Sequence, residues 1–384
     1  MASKNITDIV ASYISKSQDT AIPEDVIEKA KHHILDSLAA ILSGSALEAG
    51  RLAIKNAESK GSIDEAQVAG SGKLTSAVDA AMANAIMAHA DETDDSHAPS
   101  LTHPGCAVIP AALAVSEKAR VNGTAFLKGV AAGYDVGCRI TSALGVEALR
   151  SRYRSTHSIG SNFGAAAAAA SVLRLQEEGV RYALSFISQQ ASGLTYWIQG
   201  DARVEKAFVF AGMPARNGVT AATLVQSGFT AVLDPFCGEK NFFDAFSPAP
   251  DPALFSEGLG SYYAIAHTNI KKFPVGSPVQ APIQAVLNLI ETKGLRAGDV
   301  GHILVHISSE GLKTVDNARL PDINLQYLIA ITLIDRGFSF DAAHSHERMS
   351  EKDVLAMRKR ITLTEDPELS ASENKRQAIV EVTT

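Results

Sequence analysis

Gly164-Ala165-Ala166-Ala167-Ala168-Ala169-Ala170 is the stretch that decides the fold class. Alanine has the highest helix propensity, and a bare methyl face lets neighbouring helices approach closely. Residues 164–175 therefore read as a tightly packed interior helix. Helical signals continue around it. Pro23-Glu24-Asp25 puts a proline in a first helical turn with acids behind it. Val26, Ala30, Ile34, Leu38 and Ile41 follow at helical spacing, and Gly44 can end that helix. Residues 76–90, rich in alanine and methionine, predict another helix. Residues 113–118 and 123–137 predict two more, broken at Asn122-Gly123, and 215–226 is helix-like.

The composition shifts near residue 246, where Ser247-Pro248-Ala249-Pro250-Asp251-Pro252 marks a turn. Beyond it, Ile303, Val305 and Ile307 alternate with Leu304 and His306, which predicts a strand within 299–308. Residues 377–383 alternate likewise, and helices are expected at 279–293 and 325–336. The expected fold class is mainly α, with an all-helical domain over 1–255 and a smaller α+β domain over 256–384. Nothing follows the last strand, so we expect a chain that stops before its fold is complete.

A length of 384 residues suits two domains. A net charge of −7 with no basic stripe argues against a nucleic-acid binder. No uncharged apolar stretch reaches the roughly eighteen residues of a membrane span. The first five residues have no apolar run behind them, so no secretory leader is expected and a cytoplasmic location is. Cys106, Cys138 and Cys237 lack any C-x-x-C spacing, which disfavours a structural zinc or an iron–sulfur cluster and fits a reducing compartment.

Chemistry concentrates in His89-Ala90-Asp91-Glu92-Thr93-Asp94-Asp95-Ser96-His97 and the following Thr102-His103-Pro104-Gly105. So many titratable groups between two apolar runs cost several kcal/mol if buried unpaired. They either face solvent or line a polar cavity suited to acid–base or carboxylate chemistry. A solvated acidic loop and a metal site are the competing readings, although no H-E-x-x-H spacing is present.

Further candidates lie downstream. Arg150, Arg152, Arg154, Tyr153 and His157 precede the alanine helix, where guanidiniums and a helix N-terminus suit an anion. Lys206 lies in Asp201-Ala202-Arg203-Val204-Glu205-Lys206. Lys271 and Lys272 lead into Phe273-Pro274-Val275-Gly276, and Tyr327 follows Asn324-Leu325-Gln326. His103, His157, Lys206, Lys271 and Tyr327, with arginines, describe a pocket for a small polycarboxylate, in which cations stabilise charge as an α-proton leaves.

These motifs resemble the MmgE/PrpD family, in order and through nearly the whole chain. His89-Ala90-x-Glu92-x-Asp94-Asp95-Ser96-His97 with His103-Pro104 is similar to its H-A-x-D-x-D-D-T-H…H-P signature. His157 before Gly164-Ala165-Ala166-Ala167, Lys206 before Gly212-x-x-Ala215-x-x-Gly218, Lys271-Lys272-Phe273-Pro274 and Asn324-Leu325-Gln326-Tyr327 resemble further family segments. The resemblance implies a large helical domain with an α+β lid, an active site in the cleft between them, a homodimer, and no cofactor or metal. It implies a lyase of the 2-methylcitrate dehydratase type, with isomerisation, epimerisation or decarboxylation of a similar polycarboxylate as alternatives. The catalytic positions fall on His103, His157, Lys206, Lys271 and Tyr327; we add Glu92, Ser96, Arg150, Arg154 and Lys272 for substrate binding. Glu92 and Ser96 replace the family's Asp and Thr, and Pro278-Val279-Gln280 stands where relatives often carry a histidine. Two other expectations are kept open: a non-catalytic relative and a metal-dependent hydrolase.

Overall fold

The computed structural model describes residues 5–61, 63–200, 204–372 and 376–384. The chain is mainly α and forms two compact units, one of Met1–Ala90 with Asp94–Ile270, the other of Asp91–Thr93 with Lys271–Thr384.

The first unit runs α1 (Ile6–Lys16), α2 (Glu24–Gly44), α3 (Glu48–Glu58), α4 (Ala77–His89), α5 (Gly105–Ala119), α6 (Gly123–Leu144), α7 (Val146–Arg150), α8 (Thr156–Val172), α9 (Glu177–Gln190), α10 (Val204–Ala207), α11 (Met213–Gln226), α12 (Phe242–Phe246) and α13 (Ala253–Ser256). An antiparallel hairpin, β1 (Ala66–Val68) with β2 (Lys73–Thr75), lies between α3 and α4. Local signals set the helix starts. Ser76 accepts the Asp79 N–H at α4, Asn122 accepts that of Ala125 at α6, and Ser155 accepts that of Ser158 at α8.

The alanine helix α8 starts earlier than the alanine run, and every one of its residues except His157 is buried. Glycines set its neighbours. A Cβ at Gly137 of α6 would lie 2.7 Å from the Gly160 carbonyl, and one at Gly133 2.7 Å from the Gly164 carbonyl. On α11, a Cβ at Gly218 would lie 2.5 Å from both Ala165 Cβ and Ala166 N. Thus α6 and α11 both meet α8 at backbone contact, which only glycine and alanine permit.

Between α10 and α11, residues Phe208–Gly212 form a π-turn, so one helix carries a bulge. Pro214 has no N–H for the carbonyl four residues back, which removes an α-helical rung at Phe210.

The second unit contains α14 (Gln280–Lys293), α15 (Ser309–Val315), α16 (Leu325–Ile334), α17 (Phe340–Ala343), α18 (His346–Met349), α19 (Lys352–Arg358) and α20 (Pro367–Ala371). Its sheet has the order β4 (Ile361–Glu365), β3 (His302–Ile307), β5 (Ile379–Thr383), with β4 parallel and β5 antiparallel to the central strand. Ile303, Val305 and Ile307 turn into the core as their alternation predicts. The last strand does have a partner: β5 pairs backwards with β3, placing Val380 opposite Val305. No single helix among the described residues is long and apolar enough to cross a membrane.

Candidate active site

The acidic–histidine segment is buried, and its charges are paired rather than solvated. His89, Asp94 and Asp95 are all at most 1% exposed. His89 Nδ1 donates to Asp94 Oδ2 at 2.8 Å. Backbone bonds between His97 and Thr102 close a loop that presents His103. The His103 Nδ1 bonds the Asp95 carbonyl at 2.5 Å. A carbonyl oxygen only accepts, so Nδ1 carries the proton and Nε2 is the basic nitrogen of the neutral ring.

An aromatic stack surrounds that ring. His103 and His157 are parallel with centroids 4.6 Å apart, and His157 stacks on Phe210 at 4.2 Å. Phe210, delivered by the π-turn, also stacks on His89 at 4.8 Å and meets Trp197 edge-on at 5.1 Å. Lys206 Nζ lies 5.0 Å from the Phe210 ring centre and 5.3 Å from that of Trp197. Burial, reinforced by His103, Lys206 and His89, drives the His157 pKa well below the usual imidazole value, so the ring is neutral at pH 7. Its Nδ1 and the Trp197 Nε1 are buried and lack hydrogen-bond partners among the described residues. The arrangement is two imidazoles and a cation against an apolar wall.

His89, Asp94 and Cys106 bring ligand atoms within 4.8 Å of one another, the one such trio among the described residues. The Cys106 thiol donates to the His103 carbonyl at 3.1 Å, which requires it protonated, and His89 gives its proton directly to Asp94.

The predicted residues divide between the two units. In the first, His103, His157 and Lys206 come together. Ser96 exchanges backbone hydrogen bonds with Asn269 at 2.9 Å. Arg150 pairs with Glu147 at the surface, and Arg154 donates to the Phe246 carbonyl and lies over the Phe246 ring, so their guanidiniums engage groups outside the histidine stack. Asp201, Ala202 and Arg203 lie outside the described residues. In the second unit, Lys271 Nζ donates to the Glu92 carbonyl at 2.5 Å, while Lys272 reaches Gln284 at the surface. Glu92 takes a left-handed backbone, φ 63°. Tyr327 is fully buried. Its hydroxyl donates to the Ala342 carbonyl, and burial pushes its pKa up to about 12. The Tyr327 hydroxyl thus lies against the turn that follows α17. That turn holds His344, which the sequence reading missed and whose Nε2 donates to the Asp91 carbonyl at 3.0 Å. Gln280, in the Pro278-Val279-Gln280 stretch, clasps the backbone of Phe273 and Val275.

His97 gives a pH test of this packing. Burial lowers its pKa to about 4, against an opposing pull from Asp95. The folded value lies below the ordinary 6.5, so the folded state binds fewer protons between those limits. Stability present above pH 6.5 is therefore lost as pH falls toward 4, by about 3 kcal/mol. Asp135, raised by burial to about 6, contributes the opposite slope. The comparison is thus between wild type and His97→Gln: urea unfolding at pH 7 and 4.5 should show a shallower acid loss in the variant, and equal losses would contradict the assignment.

The chain thus has a helical unit carrying stacked imidazoles and a lysine, and a second unit built on a three-stranded sheet. The sequence matches the MmgE/PrpD N-terminal domain over residues 8–254 and the MmgE/PrpD C-terminal domain over residues 273–384; the chain belongs to the MmgE/PrpD family. It is 29% identical, over 60% of its length, to the cis-aconitate decarboxylase-like protein oryM of Aspergillus oryzae, of which it covers 49%. It is 25% identical to a cis-aconitate decarboxylase of Aspergillus terreus over 97% of this chain and 81% of that one. With the cis-aconitate decarboxylase of Homo sapiens it shares 27% identity over 67% of its length and 54% of the relative. The chain thus spans about half the length of the first of these relatives.

Proposed function

We propose that the protein is a cofactor-independent lyase acting on a small di- or tricarboxylate by moving a proton at a carbon next to a carboxylate. The observation that carries this reading is the His103–His157 stack beside Lys206. A neutral imidazole takes the α-proton, and the electron pair passes into the neighbouring carboxylate as an enolate-like dianion. Lys206 stabilises that charge. When the intermediate collapses, the imidazolium returns its proton to the departing β-hydroxyl, which leaves as water, and the reaction is dehydration, of the 2-methylcitrate type. Decarboxylation is the second reading, favoured by the names of the relatives; there CO2 leaves and the electron pair it leaves behind is protonated. In the second unit, Lys271 is the cation we assign to a carboxylate.

Mass spectrometry separates the outcomes. Purified protein is incubated with 2-methylcitrate, citrate, cis-aconitate and iminodisuccinate in heavy water near neutral pH. Loss of water marks a hydro-lyase and loss of CO2 a decarboxylase; deuterium uptake alone marks an isomerase or epimerase. Absence of all three would sink the lyase reading and favour a binding role.

A cytoplasmic homodimer belongs to the same proposal. On α2, Leu35, Ala39 and Leu42 form an exposed strip at i, i+4 and i+7, with Leu35 68% and Leu42 58% exposed. We assign it to a second copy of the chain. Sedimentation should find a dimer that Leu35→Lys turns into monomer; a monomeric wild type would refute it.

A further inference from the structure

Asp95 carries a carboxylate that is wholly buried, a placement that is unfavourable unless donors surround it. Three groups do so. Tyr134 Oη donates to Oδ2 at 2.5 Å, and the Gly105 N–H donates to Oδ1 at 2.9 Å. His33 Nδ1 lies 2.8 Å from Oδ2 without the alignment of a hydrogen bond. His33 and Tyr134 are themselves fully buried, with rings tilted against each other at 5.6 Å. Burial beside Asp95 raises the Tyr134 pKa, which keeps its hydroxyl a donor.

The arrangement acts on His103 from two directions. The Asp95 side chain grips Gly105, two residues after His103, while its backbone carbonyl takes the His103 Nδ1 proton. Gly105 is the residue that leaves room: a Cβ there would sit 2.7 Å from Tyr134 Oη and 2.9 Å from each Asp95 carboxylate oxygen. None of these ties touches the face of the ring that stacks on His157. Asp94, with Oδ2 3.8 Å from His103 Nδ1, is the competing acceptor.

We propose that Tyr134 and His33, through Asp95, are positioning residues that hold His103 in its Nδ1–H tautomer with Nε2 turned to the substrate side. This rests on the proposed proton-transfer reading for its consequence, though not for its geometry. Other titratable groups near the ring are His89, His157 and Lys206, none of which bonds the Asp95 carboxylate.

The test reads the tautomer directly. Long-range proton–nitrogen spectra of protein labelled with 15N-histidine, with His103 assigned by its loss in His103→Asn, should show the Nδ1–H form in wild type. Tyr134→Phe, which removes one hydroxyl from an otherwise unchanged ring, should give a mixture of tautomers, and so should Asp95→Asn. On whichever substrate turns over, Tyr134→Phe should lose on the order of ten- to a hundredfold in kcat with KM within threefold. His33→Gln supplies the same readout should Tyr134→Phe fail to fold. A wild-type Nε2–H tautomer, or a tautomer unmoved in every folded variant, would overturn the proposal. A wild type silent on all substrates would instead strike the lyase reading, and the spectra would still decide this one.

Discussion

His103→Asn should lose about 10²–10⁴-fold in kcat while KM changes only a few-fold. The asparagine amide can still donate to the Asp95 carbonyl, the acceptor that His103 Nδ1 now uses, so the loop between residues 95 and 105 keeps its closure. What disappears is the basic nitrogen on the far side of the ring. A KM that holds while kcat collapses marks a group needed for the proton and not for binding. Steady-state kinetics on the substrate found by mass spectrometry, with thermal unfolding as a control, checks it. A kcat within threefold of wild type would remove His103 from the chemistry. His157 would then be the base, its low pKa leaving it neutral through the same range.

Gly218→Val should prevent the helical unit from folding, or cost more than about 3 kcal/mol where it does fold. The first added carbon already lies 2.5 Å from Ala165 Cβ and Ala166 N, and neither is the end of a movable side chain. Accommodation would require α11 to part from α8. That would break the Asn217–Asn162 hydrogen bond of 3.0 Å and displace the π-turn carrying Phe210. Gly298→Ala is the control, since a Cβ there meets nothing within 4 Å. Soluble yield and melting temperature should fall sharply for the first and stay near wild type for the second; equal behaviour would show that the close contact is not what organises the unit.

The interior helix was legible because alanine both favours helix and removes side-chain bulk. Its neighbours α6 and α11 carry the matching glycines, a pattern visible only once the contacts are known. Helix starts marked by Ser76 and Asn122 were legible, because a capping side chain acts within three residues. The start of α5 at Gly105 was not, since Gly105 and Pro110 read as breakers although the helix contains both. Strand β4, Ile-Thr-Leu-Thr-Glu, was missed because five residues of mixed polarity carry little signal until β3 lies beside them.

In the site, the histidine and lysine positions were legible from their order along the chain, and His103, His157 and Lys206 do assemble. Phe210 was not, because nothing local announces a π-turn. His33 and Tyr134 reach Asp95 from far away in sequence, and their roles arise from folding alone. The bond from the Tyr327 hydroxyl to the Ala342 carbonyl likewise appears only once α17 is in place.

Incorporation of solvent deuterium beside a carboxylate of the substrate, followed in wild type and His103→Asn, decides whether His103 moves the proton. Deuterium in the wild-type product or recovered substrate, abolished in the variant while ligand binding persists, is the predicted result. Equal exchange in both proteins, or turnover with no solvent-derived deuterium at that carbon, would contradict proton transfer by His103 as the basis of the activity.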